Sequence, residues 1–341
     1  MNLPTTLEST VTALLAPGKG ILAADESLPT IGKRFAALDI PSNEQNRWAY
    51  RELLFTSPGL ADSISGVILF DETIRQRTAS GASVPKILAR NGMISGIKVD
   101  AGTMALPGFP GEKITQGLDG LRERLVAYRE LGARFTKWRA VIAIGERLPT
   151  AGAIEANAHA LALFASLSQE AGLVPIVEPE VLMDGSHSLA RCEEVMSITL
   201  KTVFATLIEQ RVSLETMLLK TGMVLAGQDC PQQAGLDEIA EATLRCLRRT
   251  VPAAVPGIVF LSGGQKDVAA TERLNAICRV GNAPWRLSFS YGRALQDAAL
   301  KTWQGSTTHV AQAQAALRHR AQCNGQAVLG KYSADEENAT A

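Results

Sequence analysis

Three lysines sit inside otherwise apolar runs: Lys98 in ISGIKV, Lys137 in RFTKWR and Lys220 in MLLKTG. Two glutamates, Glu178 and Glu180, fall in a fourth run, LVPIVEPE, and Asp25 ends a fifth, GILAAD. Arg139 follows Lys137 by two positions. Ionisable groups in such surroundings are expensive to bury and need a partner or a purpose. Lysines and carboxylates gathered in one pocket point to chemistry on a carbonyl. An ordinary lysine, with a pKa near 10.4, is neutral at pH 7 in only about one molecule in 2,500. A neighbouring ammonium and partial desolvation both disfavour the charged form and expose the amine as a nucleophile. Lys220 has the most apolar flanks of the three, with Lys98 and Lys137 able to supply the neighbouring charge. The chemistry that follows is formation of a Schiff base, with no metal and no cofactor.

Two further stretches carry a different chemistry. Ser262-Gly263-Gly264 follows the run GIVFLSG, and Gly292-Arg293 follows RLSFSY, which contains Ser290. Glycines let backbone N–H groups approach an anion closely, and an arginine fork can complete such a site. A phosphorylated small molecule is the ligand this pairing calls for.

These residues need elements to hold them. Eight short apolar runs read as strands: 20–25, 64–70, 94–99, 134–139, 173–179, 217–222, 257–263 and 286–291. Their ends are spaced 28 to 45 residues apart, room for one crossover helix and its loops in each gap. Between them, apolar residues recur with helical period at Leu121, Leu125, Tyr128 and Leu131, with Asp119 as the expected N-cap. The same period appears at Met196, Leu200, Val203 and Leu207, at Ile239, Thr243, Cys246 and Leu247, and at Leu295, Ala298, Ala299 and Thr302. Eight βα units predict an α/β protein, a single-domain (β/α)8 TIM barrel spanning residues 1–341, with a polar C-terminal tail from about residue 333.

In a barrel the C-terminal ends of all strands converge on one face, where catalytic residues sit. Any one strand-end charge can be a structural ion pair or a group reaching solvent. Repetition of polar residues at the same end of seven runs favours one functional site holding Asp25, Lys98, Lys137, Arg139, Glu178, Glu180, Lys220 and Arg293.

Composition narrows the class. The chain of 341 residues carries 34 Lys plus Arg against 34 Asp plus Glu, so it lacks the basic excess of a general nucleic-acid binder. Apolar residues make up 46%, which excludes a disordered chain. No run approaches the ~18 apolar residues of a membrane span, and the start lacks the pattern of a secretory signal, so a cytoplasmic protein without membrane association is expected. The five cysteines are widely spaced with no C-x-x-C, and the four histidines form no H-x-x-x-H pair. Free thiols, rather than disulfides or a metal centre, are expected.

The motifs carrying these residues resemble class I fructose-bisphosphate aldolases. They are GKGILAADES (18–27), SGIKVD (95–100), TQGLDGL (115–121), KWR (137–139), IVEPE (176–180), MLLK (217–220), FLSGGQ (260–265) and SYGRALQ (290–296), in the family's order across most of the chain. The resemblance implies reversible aldol cleavage of fructose 1,6-bisphosphate to dihydroxyacetone phosphate and glyceraldehyde 3-phosphate. By the same resemblance Lys220 forms the Schiff base, Glu178 is the acid/base, and Asp25 helps remove the C4-hydroxyl proton, with Lys137 and Glu180 shaping the electrostatics. Ser262, Gly263, Gly264, Ser290, Gly292 and Arg293 are implied to hold the C1 phosphate. Ser27, Thr30, Arg34 and Lys98 are placed near the other phosphate, and Arg139 lines the site. Family members are typically homotetramers of glycolysis, gluconeogenesis or the Calvin cycle.

The sequence departs from the animal pattern at Leu28-Pro29, where a Thr-Gly pair is usual, and Thr30 replaces a serine. Thr221-Gly222 replaces Pro-Asn after Lys220, and the sequence ends at Ala341 without the C-terminal tyrosine of animal and plant members. The alternatives are a related aldolase acting on sedoheptulose bisphosphate or fructose 1-phosphate, a phosphate-binding barrel without lyase activity, and a metal-dependent aldolase. Lys220, Glu178 and Asp25 together speak against the second, and the scattered histidines against the third.

Overall fold

The computed structural model describes residues 6–78 and 80–338. Eight strands close into a barrel: β1 (Gly20–Ala24), β2 (Ile64–Leu69), β3 (Ile94–Lys98), β4 (Phe135–Ile142), β5 (Val174–Val181), β6 (Leu218–Thr221), β7 (Gly257–Phe260) and β8 (Arg286–Tyr291). Each is hydrogen-bonded in parallel to its neighbours in chain order, and β1 closes the ring on β8. All eight runs read as strands are strands. β4 and β5 extend past the expected ends because they pair over their whole length, from Phe135 opposite Val174 to Ile142 opposite Val181. β7 stops earlier, at Phe260, because the chain then turns through Gly263 and Gly264, whose φ angles are +58° and +96°. A side chain at either position would strain the backbone.

The barrel interior is filled, and a short helix closes its N-terminal end. Ile21, Ala23, Ile68, Ile94, Phe135, Val174, Ile176, Leu218 and Val259 pack inside with Val11, Leu14 and Leu15 from the helix Leu7–Leu14 and the residue following it. This plug was not legible in the sequence. Phe135 is wholly buried, and a Cβ added to Gly96 on the adjacent strand would lie 2.3 Å from its ring. Truncating such a phenylalanine to alanine costs about 3–5 kcal/mol.

The outer layer is helical, and the expected apolar stripes face the sheet. Met196, Leu200, Val203 and Leu207 are buried on the helix Leu189–Glu209, and Ile239, Thr243, Cys246 and Leu247 on the helix Leu236–Thr250. On the helix Arg293–Trp303 the buried face is Ala294, Leu295, Gln296, Ala299, Leu300 and Trp303, while Ala298 and Thr302 are only half-buried. The helix Leu121–Leu131 begins from Gly120 in a left-handed conformation, not from Asp119, because the tight turn before it needs a positive φ of 63°. A two-stranded hairpin, Thr103–Ala105 paired with Lys113–Thr115, lies outside the barrel after β3. It escaped the sequence reading because its strands are three residues long and one is wholly exposed.

None of the five cysteines is paired; Cys192, Cys246 and Cys323 are buried, and Cys230 and Cys278 half-buried. Part of the expected polar tail, residues 339–341, lies outside the described residues. Before it, Glu337 is fixed to Arg320 and accepts a hydrogen bond from the Tyr332 hydroxyl at 2.7 Å.

Candidate active site

The two-residue period that fills the barrel also builds its polar mouth. Side chains alternate along a strand, so the inward face of each strand carries its apolar plug low down and its polar residues one or two steps further. Ile21 and Ala23 lead to Asp25, Phe135 to Lys137 and Arg139, Ile176 to Glu178 and Glu180, and Leu218 to Lys220. These residues open onto a cavity of about 760 Å³, and so do Lys98, Ser27, Thr30, Arg34, Ser262, Gly263, Gly264, Ser290, Gly292 and Arg293. Every site residue expected from the sequence borders this one cavity.

At its floor four charged groups form a chain. Lys220 Nζ lies 3.1 Å from Glu178 Oε1, and Lys137 Nζ lies 3.2 Å from Glu178 Oε2 and 2.7 Å from Asp25 Oδ2. All four side chains are almost entirely removed from solvent. Burial alone would raise the Asp25 carboxyl, but the ammonium groups of Lys137 and Lys220 override it and hold the pKa at about 2. Glu178 is likewise held below the ordinary range, against the pull of burial, by Lys137 and then Lys220. Burial would depress Lys137, yet Asp25 and Glu178 push it above an ordinary lysine, so it is a fixed cation.

The walls are more ion pairs. Arg139 is held by the Glu180 carboxylate, which raises it above an ordinary arginine despite burial. Lys98 Nζ is 2.7 Å from Asp100 Oδ1 and donates to the Asp100 carbonyl at 2.9 Å. Arg34 is paired with Glu26 and donates at 3.0 Å to Asp297 Oδ1 and at 3.2 Å to Gln296 Oε1. The Ser27 and Thr30 hydroxyls are 3.0 Å apart.

The opposite wall has a different character. Ser262 and Ser290 are buried, and Ser290 Oγ has no hydrogen-bond partner. Arg293 is exposed, stands at the first turn of the helix Arg293–Trp303, and has no carboxylate within 4 Å among the described residues. A Cβ added to Gly264 would lie 3.5 Å from Arg293 Nη2, so the glycine loop and the guanidinium are side by side. A loop with positive φ, an unpaired serine hydroxyl, a helix start and a free cation are the parts of a phosphate site.

Sequence reasoning missed Glu26 and left Asp100 without a role, although both border the cavity. A period-two count puts Asp25 inward and Glu26 outward, and Glu26 does turn toward the helices, where two arginines meet it. Its only signal was adjacency to Asp25.

Among the described residues the carboxylates bordering the cavity, Asp25, Glu26, Asp71, Asp100, Glu178 and Glu180, each face an ammonium or guanidinium. Elsewhere among the described residues, His319, Cys323 and Glu337 bring donor atoms within 4.8 Å of one another, but Glu337 is already engaged by Arg320 and Tyr332. The site therefore unites a buried amine, a carboxylate that can carry its proton, a fixed second cation and an anion-binding wall.

Comparison with known proteins is consistent with this geometry. A family model described as "Fructose-bisphosphate aldolase class-I" matches residues 6–341. A "Probable fructose-bisphosphate aldolase class 1" of Xanthomonas campestris pv. campestris is 57% identical over 327 residues, covering 96% of this chain and 98% of that protein. A "Fructose-bisphosphate aldolase" of Dictyostelium discoideum is 49% identical over 338 residues, covering 98% of this chain and 95% of its own. A co-crystal structure of fructose-bisphosphate aldolase from Plasmodium falciparum superimposes with a TM-score of 0.95 at 48% identity, covering 96% and 95% of the two chains. With the barrel, the buried lysines and these matches in agreement, the chain belongs to the class-I fructose-bisphosphate aldolase family.

Proposed function

We propose that Lys220 is the amine through which this class I aldolase cleaves fructose 1,6-bisphosphate into dihydroxyacetone phosphate and glyceraldehyde 3-phosphate. The observation that carries the reading is the chain of contacts Lys220–Glu178–Lys137–Asp25, from 2.7 to 3.2 Å. Glu178 takes the proton that Lys220 must lose before its amine attacks the C2 carbonyl. The same carboxyl gives that proton to the carbonyl oxygen, takes a second one from the nitrogen of the adduct and passes it to the resulting carbinolamine hydroxyl, which leaves as water, and an iminium remains. Ser262, Gly263, Gly264, Ser290, Gly292 and Arg293 hold the C1 phosphate and so fix the carbonyl against the amine.

Cleavage sends the C3–C4 electron pair into the iminium, giving a neutral enamine, while Asp25 accepts the C4-hydroxyl proton and the aldehyde departs. A carboxyl held at about 2 is a poor base while both cations persist. The electron flow removes the Lys220 charge from the cations that depress it, so Asp25 gains basicity as its proton arrives. Lys137, fixed as a cation, supplies the nearest remaining charge and, with Arg139 and Glu180, keeps the field in place. Ser27, Thr30, Arg34 and Lys98 receive the second phosphate. The enamine is finally protonated and hydrolysed to release dihydroxyacetone phosphate.

By resemblance we further assign a homotetramer of one barrel domain per chain, acting in the cytoplasm on glycolytic, gluconeogenic or Calvin-cycle sugars. No helix among the described residues is long and apolar enough to cross a membrane.

The test is borohydride reduction with dihydroxyacetone phosphate in the presence of EDTA. The expected result is irreversible inactivation with the adduct on Lys220 by peptide mapping. An adduct on Lys98 or Lys137, or activity abolished by EDTA alone, would overturn the assignment.

A further inference from the structure

Arg51 lies on the helix Glu44–Phe55, outside the cavity and only 3% exposed. Its Nη2 is 2.7 Å from Glu26 Oε2, and the other oxygen of Glu26 is held by Arg34. Arg34 reaches on to Asp297 and to Gln296. Gln296 is wholly buried: its Nε2 donates to the Ala23 carbonyl at 2.6 Å, and its Oε1 accepts from the Tyr50 hydroxyl at 3.0 Å. Two guanidiniums and two carboxylates thus make a neutral cluster that ties the end of β1 to three helices.

The cluster grips the chain directly beside a reacting group. Asp25 and Glu26 are consecutive, with Asp25 directed at Lys137 and Glu26 at Arg51 and Arg34. With the Ala23 carbonyl pinned by Gln296 and the Glu26 carboxylate by two arginines, the backbone around Asp25 is held on both sides. Nothing in the cluster touches Lys220 or Glu178, whose partners are each other and Lys137. The cluster therefore reaches the imine half only indirectly, through Lys137, which Asp25 shares with Glu178.

We infer that Arg51 is a positioning residue for carbon–carbon cleavage, acting through Glu26 to aim Asp25 and Arg34 at the half of the sugar that departs as the aldehyde. The inference rests on the proposed role of Lys220. It differs from a general structural role in what it leaves untouched, since imine formation with dihydroxyacetone phosphate needs only Lys220, Glu178 and the C1-phosphate wall. Loss of Arg51 leaves Glu26 to Arg34 alone, leaves one uncompensated negative charge beside Asp25, and removes one of the supports of the strand end. Displacements on the order of 1 Å at a reacting group cost about a hundredfold in rate.

The experiment compares wild type, Arg51→Met, Arg51→Lys, Glu26→Gln and the double variant Glu26→Gln/Arg51→Met. Each is assayed for the borohydride-trapped adduct with dihydroxyacetone phosphate and for cleavage of fructose 1,6-bisphosphate. Arg51→Met and Glu26→Gln are expected to trap the adduct at the wild-type level and to cleave about tenfold to a hundredfold more slowly. The double variant should be no slower than the worse single one, because both break the same link. Arg51→Lys keeps a buried cation without the fork and should trap normally with an intermediate cleavage rate. If the methionine variant does not fold, the lysine variant decides by the same comparison. Trapping and cleavage falling together, losses that multiply in the double variant, or no loss of cleavage would each overturn the inference. Absence of any Lys220 adduct in wild type would instead reject the proposed mechanism.

Discussion

Lys220 and Glu178 meet at 3.1 Å across the β5–β6 pair, and the second oxygen of Glu178 stands 3.2 Å from Lys137. One carboxylate thus lies between two ammonium groups, only one of which is the proposed nucleophile. Lys137 has Asp25 as well, at 2.7 Å, and stays charged. Within 4 Å, Lys220 meets Glu178 alone among the described carboxylates. The two buried lysines thus differ in how many carboxylates each one meets within 4 Å among the described residues.

Glu178→Gln keeps the shape of that bridge and removes its ability to carry a proton. Loss of a positioned acid/base costs about 10²- to 10⁴-fold. The expected outcome is that kcat and the rate of trappable imine formation fall by the same factor, while inhibition by inorganic phosphate stays as in wild type. Unchanged imine formation would take Glu178 out of the acid/base role.

Asp25 supplies a pH signature. Its folded pKa of about 2 lies below the ordinary value of 3.8, so the carboxylate form is favoured by folding. A depressed carboxyl contributes stability in full above its unfolded pKa and loses it as the pH falls toward the folded one. The shift corresponds to about 2 kcal/mol as an order of magnitude. Asp25→Asn should therefore be less stable than wild type at pH 6, with the gap closing between roughly pH 4 and 2. Chemical denaturation across that range measures it, and a gap that does not depend on pH would contradict the ion pair.

Much of this site was readable because strand period and barrel topology act together. Once eight runs are strands of a parallel ring, polar residues at their C-terminal ends must share one face, so Asp25, Lys137, Glu178 and Lys220 follow from position alone. Their partners did not follow. That Lys98 belongs to Asp100, and Arg34 to Glu26 and Asp297, depends on how the segments after β1 and β3 turn their carboxylates and, for Asp297, on a contact across 263 positions. The helix Leu7–Leu14 was missed as a plug because its period shows an apolar face but not which end of the barrel that face will close. The Asp119 cap failed for a local reason, since the left-handed Gly120 took the position.

Arg293 and Lys98 should separate on substrate. Among the described residues Arg293 has no carboxylate within 4 Å, whereas Lys98 would have to part from Asp100 at 2.7 Å to meet the proposed second phosphate. Arg293→Ala removes a charged hydrogen-bonding partner worth about 1.5–3 kcal/mol, or roughly tenfold to more than a hundredfold in affinity for any ketose bearing a C1 phosphate. Lys98→Ala should weaken fructose 1,6-bisphosphate more than fructose 1-phosphate. KM and inhibition constants for both sugars measure this, and equal losses in the lysine variant would reject its assignment to the second phosphate.

The C-terminal segment makes a prediction about stability without catalysis. Arg320 is buried on the helix Val310–Val328; it donates at 2.7 Å to Glu337 Oε1 and, among the described residues, has only Asp267, at 4.0 Å, as a second carboxylate. Tyr332 adds its hydroxyl to Glu337 at 2.7 Å, and Asn275 exchanges hydrogen bonds with the Tyr332 backbone, both at 3.2 Å. Glu337→Ala leaves a buried guanidinium almost alone. Breaking a fully buried pair costs about 3–5 kcal/mol, and partial exposure of Glu337 reduces this to about 1–3 kcal/mol. For a chain of this size the melting temperature should fall by about 2–5 °C at pH 7. Arg320 and Tyr332 hold the Glu337 carboxyl below its ordinary value against burial, so the deficit should be full above pH 4.5 and shrink as the pH falls below it. None of these residues borders the catalytic cavity, and kcat/KM for fructose 1,6-bisphosphate should not change. Thermal unfolding of Glu337→Ala, Arg320→Met and the double variant provides the check. The double variant should lose less than the two single losses combined, because its guanidinium is no longer stranded. Additive losses, or an activity that falls with stability, would show that the segment does something other than neutralise Arg320.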